Sequence, residues 1–356
     1  HMDAQPHDRV FWFSTTGWMM WNLLVGVLLT GASIVLFDGQ PAPDQLWEVV
    51  AQARATCFGT SAAYISACMK AGTRPWHRRD LSKLRAIGST GSPLSPDAFR
   101  WVSDHVGSDI WLFSSSGGTD VCTAFLTGVP TLPVRLGEIQ ARALGAAIET
   151  WDEDGKSVIG EVGELVITEP MPSMPICFWG DADGERYRDS YFSVFPGVWR
   201  HGDWLELTAA GGAVIYGRSD ATINRDGVRI GTSEIYRAVL TLDEVLDALV
   251  VDLPREDAGS CMHLFVTLRP GAVLNPELTA ALKRRLRDQC SPRHVPDEIT
   301  QIAEVPRTLS GKPLEIPVKR ILTGTPPEHA VSRESLANPS ALEPFLAMAR
   351  DLAPLH

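Results

Sequence analysis

Two short segments rich in glycine, serine and threonine could hold an anionic ligand: Gly88-Ser-Thr-Gly-Ser-Pro-Leu-Ser95 and Ser114-Ser-Ser-Gly-Gly-Thr-Asp120. Each follows an apolar run that reads as a buried strand, and in open α/β sheets ligands bind where strands deliver their carboxyl ends. Small residues there let backbone N–H groups approach a phosphate or a base, and they serve plain turns equally well. A third candidate is His201-Gly-Asp203, set between Trp199 and Trp204. A carboxylate among tryptophans needs a partner, either two adjacent hydroxyls such as those of a ribose, or a neighbouring turn or arginine. The fourth is Pro306-Arg-Thr-Leu-Ser-Gly-Lys-Pro313. Gly311 favours a tight turn there and sets Lys312 at a tip from which its charge could reach a phosphate, though an ordinary surface lysine can have the same setting. No G-x-S-x-G and no G-x-x-x-x-G-K-[ST] occurs, which removes the nucleophile-elbow hydrolases and the simplest phosphate-loop NTPases.

The elements that must position these residues show in the pattern around them. ASIVLF, KLRAIGS and SDIWLFS alternate with helix-like stretches at 44–54, 61–70 and 96–106, the last with Ser95 as N-cap and Pro96 at its first position. This alternation predicts an α/β large domain with a largely parallel sheet, in which residues 114–120 stand between strand and helix as residues 88–95 do. From about Val134 shorter strands take over: RLGEIQ, AAIETWDEDGKSV, GELVITEP and VWRHGDWLELTAAGGAVIYG. With Asp154-Gly155 and Gly211-Gly212 as turns, they predict an antiparallel β subdomain. After Arg218 the pattern changes to that of a small α+β domain. It has a helix from about Ser233, strands around ALVVDLP and MHLFVTLRP, a basic amphipathic helix from Pro276 to about Gln289, and a short helix from Glu315 to Leu322. The expected domains are therefore 1–217 and 218–356, the second ending in a tail that docks through Leu342, Phe345 and Leu346.

The 32 basic residues are outnumbered by 43 acidic ones and form no sustained run, so nothing offers a nucleic acid an electrostatic footprint. Six scattered cysteines, with no C-x-x-C pair and no His cluster at metal spacing, read as reduced thiols of a cytoplasmic protein. Residues 17–37, GWMMWNLLVGVLLTGASIVLF, carry no charge and are long enough to span a bilayer. No basic cluster marks a cytoplasmic flank, and Gly31-Ala-Ser before IVLFDG reads as the end of a helix before a short buried strand. The segment is expected to be a wholly buried helix of the α/β domain rather than a membrane span.

Taken in order, GSTGSP, SSSGGTD, WRHGDWLEL, YGRSDATINRDGVRIG and PRTLSGK resemble the core motifs of the adenylate-forming acyl-CoA synthetases, over most of residues 11–320. FWFSTTGWMMWN, SSSGGTD and the tail VSRESLANPSALEPF resemble the acetoacetate-activating branch of that family. The resemblance implies an acid-thiol ligase that uses ATP, Mg²⁺ and coenzyme A: a carboxylate attacks the α-phosphate, and CoA then displaces AMP. It implies that Gly91, Ser92 and Pro93 line the adenine, Thr119 meets the α-phosphate, Asp120 lies near the metal, and Asp203 and Arg218 hold the ribose. Asp220 would be a hinge, Arg229 would lie near phosphate or CoA, and Lys312 would serve adenylation and be the target of a lysine acyltransferase. Trp18, Met19, Met20, Gly117 and Gly118 would form the acyl pocket. Gly117 stands where acetate enzymes of the family have a tryptophan, which implies more room for a four-carbon keto acid.

The same resemblance implies a Ser/Thr/Gly-rich phosphate loop ending in lysine upstream of Trp18, and the residues before it contain none. The chain is therefore expected to be an N-terminally incomplete form with little activity of its own. An adenylating ligase for another short acid and a non-catalytic interaction fragment stay open beside this reading.

Overall fold

A computed structural model describes residues 1–221, 223–225, 228–254, 260–309 and 311–352, with the side chains of Asn224, Val228, Arg229 and Leu352 also outside the description. The chain divides into two compact units, His1–Ile215 and Tyr216–His356.

In the first unit, β1 (Arg9–Trp12), β2 (Ser33–Val35), β3 (Cys57–Ser61), β4 (Ala86–Thr90) and β5 (Trp111–Ser114) form a parallel sheet in the order β2-β1-β3-β4-β5. Parallel neighbours need crossovers, supplied by α1 (Met19–Val27), α2 (Gln45–Ala53), α3 (Ala62–Lys70) with the one-turn α4 (Pro75–Arg78), and α5 (Pro96–His105). Side chains alternate across a strand, so Phe11 and Phe58 pack with Trp47 and Ile65 on one face, while Val10 and Trp12 pack with Met20 and Phe113 on the other. A Cβ at Gly59 would come 1.8 Å from the Trp12 ring, which is why this buried strand carries a glycine. The helix starts follow local chemistry: Ser95 Oγ accepts from the Ala98 N–H at 3.2 Å, and Pro96 occupies the first helical position.

Residues 17–37 depart from expectation. α1 is nine residues long and buries only Met20, Leu24 and Val27, which its 3.6-residue period places on the sheet side. Val25 is 45% exposed and Leu29 93% exposed, so the segment is not wholly buried. Gly31, at φ +81°, ends it before β2, a half-buried edge strand. No helix among the described residues is long and apolar enough to cross a membrane.

Residues 114–120 do not lead into a helix either. β6 (Ser116–Gly118) pairs antiparallel with β7 (Thr123–Thr127), which pairs with β8 (Ala141–Arg142). Of RLGEIQ only Ile139 makes a bridge, to Ala213. β9 (Ile148–Trp151), β10 (Val162–Ile167), α6 (Glu185–Tyr191), β11 (Trp199–Leu207) and β12 (Ala213–Arg218) follow, the strands in the order β12-β11-β10-β9. Gly155 and Gly211, at φ +75° and +85°, carry the expected turns. Phe125, Leu165, Trp199 and Leu205 fill the core of this antiparallel part.

The second unit opens with the hairpin β13 (Ile223–Arg225) and β14 (Val228–Ile230), then α7 (Thr232–Val239). β15 (Val245–Pro254) and β16 (Ser260–Leu268) pair antiparallel, and after α8 (Pro276–Gln289) the chain returns as β17 (Glu298–Gln301), parallel to β16. α8 turns Leu278, Leu282 and Leu286, spaced by four, onto one face of this sheet beside α7. The other face is covered by α9 (Glu315–Leu322), with the one-turn α10 (Pro327–Ala330) and α11 (Glu343–Leu352) behind it. Leu342 and Phe345 are fully buried there, as read from the tail, each such side chain contributing ~2 kcal/mol. The architecture is thus the expected α/β unit with an antiparallel part, followed by a smaller α+β unit.

Candidate functional site

Hydrogen bonds tie the two small-residue segments of the first unit together at the carboxyl ends of β4 and β5. The Ser115 N–H donates to the Ser89 carbonyl at 2.9 Å, and Thr90 Oγ1 donates to the Ser115 carbonyl at 2.8 Å. Gly91 follows at φ +95°, where a side chain is strained, and the place a Cβ would take lies 3.9 Å from the Trp18 ring. Ser92 and Pro93 are exposed, while the buried Ser89 Oγ has no hydrogen-bond partner among the described residues. The expected adenine-lining residues therefore stand on a solvent-facing loop beside Trp18. Met20 is buried in the core below, and Trp18 and Met19 are partly buried against that core.

In the second segment, a Cβ on Gly117 would lie 2.2 Å from the Thr123 carbonyl oxygen, and one on Gly118 2.8 Å from His201 Cε1. Gly117 is thus required by the bulged pairing of β6 with β7. It does not mark an open space left by a missing side chain, and the argument for extra room in an acyl pocket loses that support. Thr119 and Asp120 are exposed on the turn that follows, and Asn22 of α1 reaches Cys122 Sγ at 3.1 Å.

Asp120 accepts a hydrogen bond from the Tyr191 hydroxyl. The Tyr191 ring stacks on Trp199 with centroids 3.5 Å apart at 14°, and the Trp199 indole N–H donates to His201 Nδ1 at 3.3 Å. His201 Nε2 then lies 3.7 Å from an oxygen of the buried Asp203. Asp120 and Asp203, two of the carboxylates singled out in the sequence, are thus joined by three aromatic side chains. Tyr191 was missed in the sequence; its signal was RYRDSY, which spaces Tyr187 and Tyr191 four apart on one helix before the tryptophan motif.

Among the described residues no three His, Cys, Asp or Glu side chains gather to hold a metal. Mg²⁺ commonly keeps several waters and takes one or two carboxylates together with substrate phosphates. An exposed Asp120 on a small-residue turn fits that sparse donor set.

In the second unit, Arg218 clasps Asp220 through Nε and Nη2, at 2.9 and 2.8 Å. The guanidinium expected on a ribose and the expected hinge residue therefore engage each other. Nearby, the Tyr236 hydroxyl donates to Glu315 Oε1 at 2.5 Å and accepts from the Val250 N–H at 3.1 Å. Burial raises the Glu315 carboxyl above its ordinary pKa and the charge of Asp220 adds to this, against hydrogen bonds from Tyr236 and Thr232.

Lys312 is exposed on the turn expected for it, with Gly311 at φ +83° and its own N–H donating to Thr308 Oγ1 at 3.1 Å. The tail braces this turn: Asn338 accepts from the Arg307 N–H at 2.8 Å and donates to the Val305 carbonyl at 2.9 Å, while Thr308 bridges Leu336. Neither Asn338 nor Glu315 stood out in the sequence. Arg229 lies in β14, but its side chain is outside the described residues, as is all of Ser310.

Comparison with known proteins gives two family matches: AMP-binding enzyme over residues 1–175, and AMP-binding enzyme C-terminal domain over residues 234–312. The chain is 48% identical to the acetoacetyl-coenzyme A synthetase of Rhizobium meliloti (strain 1021), over 98% of the chain and 53% of that protein. It is 41% identical to the acetoacetyl-CoA synthetase of Gallus gallus, over 96% of the chain and 52% of that protein. The solved structure of acetoacetyl-CoA synthetase from Streptomyces lividans superposes with a TM-score of 0.90 at 52% identity, covering 99% of this chain and 55% of that one. The chain spans about half the length of the curated relatives it matches.

Proposed function

From the membership of this chain in the AMP-binding enzyme family, we propose that it carries the acid-activating residues of an ATP-dependent acetoacetate–CoA ligase. The observation that carries the choice of acid is the identity with relatives named acetoacetyl-CoA synthetase, 48% over 98% of the chain in one of them, which runs through both units.

In this reading acetoacetate attacks the α-phosphate of ATP, pyrophosphate leaves, and the thiol of CoA displaces AMP from the mixed anhydride. ATP with Mg²⁺ supplies the activated phosphorus and neutralises its charge. The backbone of the Gly91 turn, with Ser92 and Pro93, borders the adenine beside Trp18. Thr119 offers a hydroxyl to the α-phosphate, and Asp120 would hold the metal. Asp203 accepts hydrogen bonds from the ribose hydroxyls, and Arg218 joins it once released from Asp220. Arg229 faces phosphate or CoA. Lys312, a point charge on a braced turn, stabilises the pentacoordinate phosphorus, which also makes it the residue whose acylation by a lysine acyltransferase would stop the first step. Asp220 is the hinge residue between the domains 1–217 and 218–356. Trp18, Met19 and Met20, with Gly117 and Gly118 at its edge, border the acyl group.

The test is AMP formation with acetoacetate, acetate and 3-hydroxybutyrate as competing acids in the presence of CoA. Acetoacetate is expected to give the highest kcat/KM. A preference for another acid would reassign the substrate, and no AMP with any acid would contradict ligase activity of this chain.

A further inference from the structure

The contact between Tyr191 and Asp120 joins residues 71 positions apart in sequence. Asp120 stands exposed at the end of a glycine turn, where a carboxylate with no partner would be free to take several rotamers. Tyr191, in contrast, is held by an aromatic cluster: stacked on the buried Trp199, with Phe178 and Tyr187 meeting its ring edge-on at 6.2 and 6.0 Å. Trp199 is itself fixed by Phe192 edge-on at 6.0 Å and by its indole bond to His201. A donor packed in an aromatic cluster therefore meets an exposed acceptor.

We propose that Tyr191 is a positioning residue for Asp120: its hydroxyl fixes Oδ2 and so aims Oδ1 at the cation that accompanies the nucleotide. A phenol suits this role because it donates one hydrogen bond and brings no charge to compete with the metal. The Trp199 stack makes the bond cheap to keep, since the tyrosine ring has already lost its rotamer freedom in the cluster. Through Trp199 and His201 the same scaffold reaches Asp203, so the metal-facing and ribose-facing carboxylates are set by one packed unit. This inference rests on the nucleotide reading above.

The experiment is calorimetric titration of the chain with AMP and with α,β-methylene-ATP, each with and without Mn²⁺, for wild type, Tyr191→Phe, Asp120→Asn and Tyr187→Phe. Thermal unfolding of each variant checks folding. Wild type and Y187F are expected to bind the triphosphate analogue more tightly with Mn²⁺. In Y191F that metal-dependent gain should shrink about tenfold, within the range for a hydrogen bond to a charged group, while metal-independent AMP affinity stays as in wild type. D120N should abolish the gain. A full gain in Y191F, or an equal loss of AMP and analogue binding with and without Mn²⁺, would overturn the positioning role while leaving the nucleotide reading intact. Failure of wild type to bind either nucleotide would overturn both.

Discussion

Arg307 holds Asp247 through two nitrogens, Nη2 2.7 Å from Oδ1 and Nε 3.0 Å from Oδ2, and its Nη1 donates to the carbonyl of Gly311, the residue before Lys312. The turn that presents the lysine is thus anchored to β15 by a planar fork that lysine cannot reproduce. Arg307→Lys is expected to lower the unfolding free energy by ~1–2 kcal/mol, since bidentate charge-assisted bonds are replaced by a single contact at a part-buried site. Urea unfolding with amide exchange over residues 307–314 checks this. Unchanged stability and protection would show that the turn does not depend on the fork.

Glu315 gives a pH signature of defined sign. Its carboxyl is raised above the ordinary value, chiefly by burial. Below the unfolded-state pKa, both states carry the proton and the contribution is fully present. As pH rises past that value, the unfolded chain releases its proton first, so stability falls until the folded pKa is passed. Glu315→Gln should remove this decline, so the variant gains on wild type as pH rises from the ordinary carboxylate range through the raised folded-state value. Denaturant unfolding across that range measures it, and a pH-independent difference would contradict the raised pKa.

The glycines after β5 differ in what they would meet. A Cβ on Gly117 runs into the Thr123 backbone, and one on Gly118 into the edge of the His201 ring. A side chain can yield where a backbone cannot, so Gly117→Ala is expected to cost ~2–3 kcal/mol and Gly118→Ala less. Paired denaturation curves decide it. Equal costs, or none, would mean that the bulge between β6 and β7 readily relaxes.

Much of this architecture was legible because it is local. Ser95 and Pro96 announce α5, Gly155 and Gly211 announce hairpins, and the spacing of Leu278, Leu282 and Leu286 announces the buried face of α8. β1 was not legible: four residues, Arg9–Trp12, beside further apolar residues give no period to count, yet they hold an interior position in the sheet. Nor was the exposure of Val25 and Leu29 legible, because a helix apolar on every side gives no sign of which face turns inward. At the site, glycines and charged residues stood out in motifs, but their partners did not. Tyr191 reaches Asp120 from 71 residues away, and Tyr236 reaches Glu315 from 79. Such pairs are made by strand order and helix packing, which no local window contains.

The most direct test of the nucleotide and acid assignment is calorimetric binding of a non-hydrolysable acetoacetyl-adenylate mimic, beside the acetyl mimic and AMP, to wild type and Asp203→Asn. Expected is binding of all three to wild type, the acetoacetyl mimic tightest, with all three weakened by ~1–3 kcal/mol in D203N as the ribose loses a charged acceptor. Binding of none, or equal affinity for the two acyl mimics with no effect of D203N, would contradict the assignment.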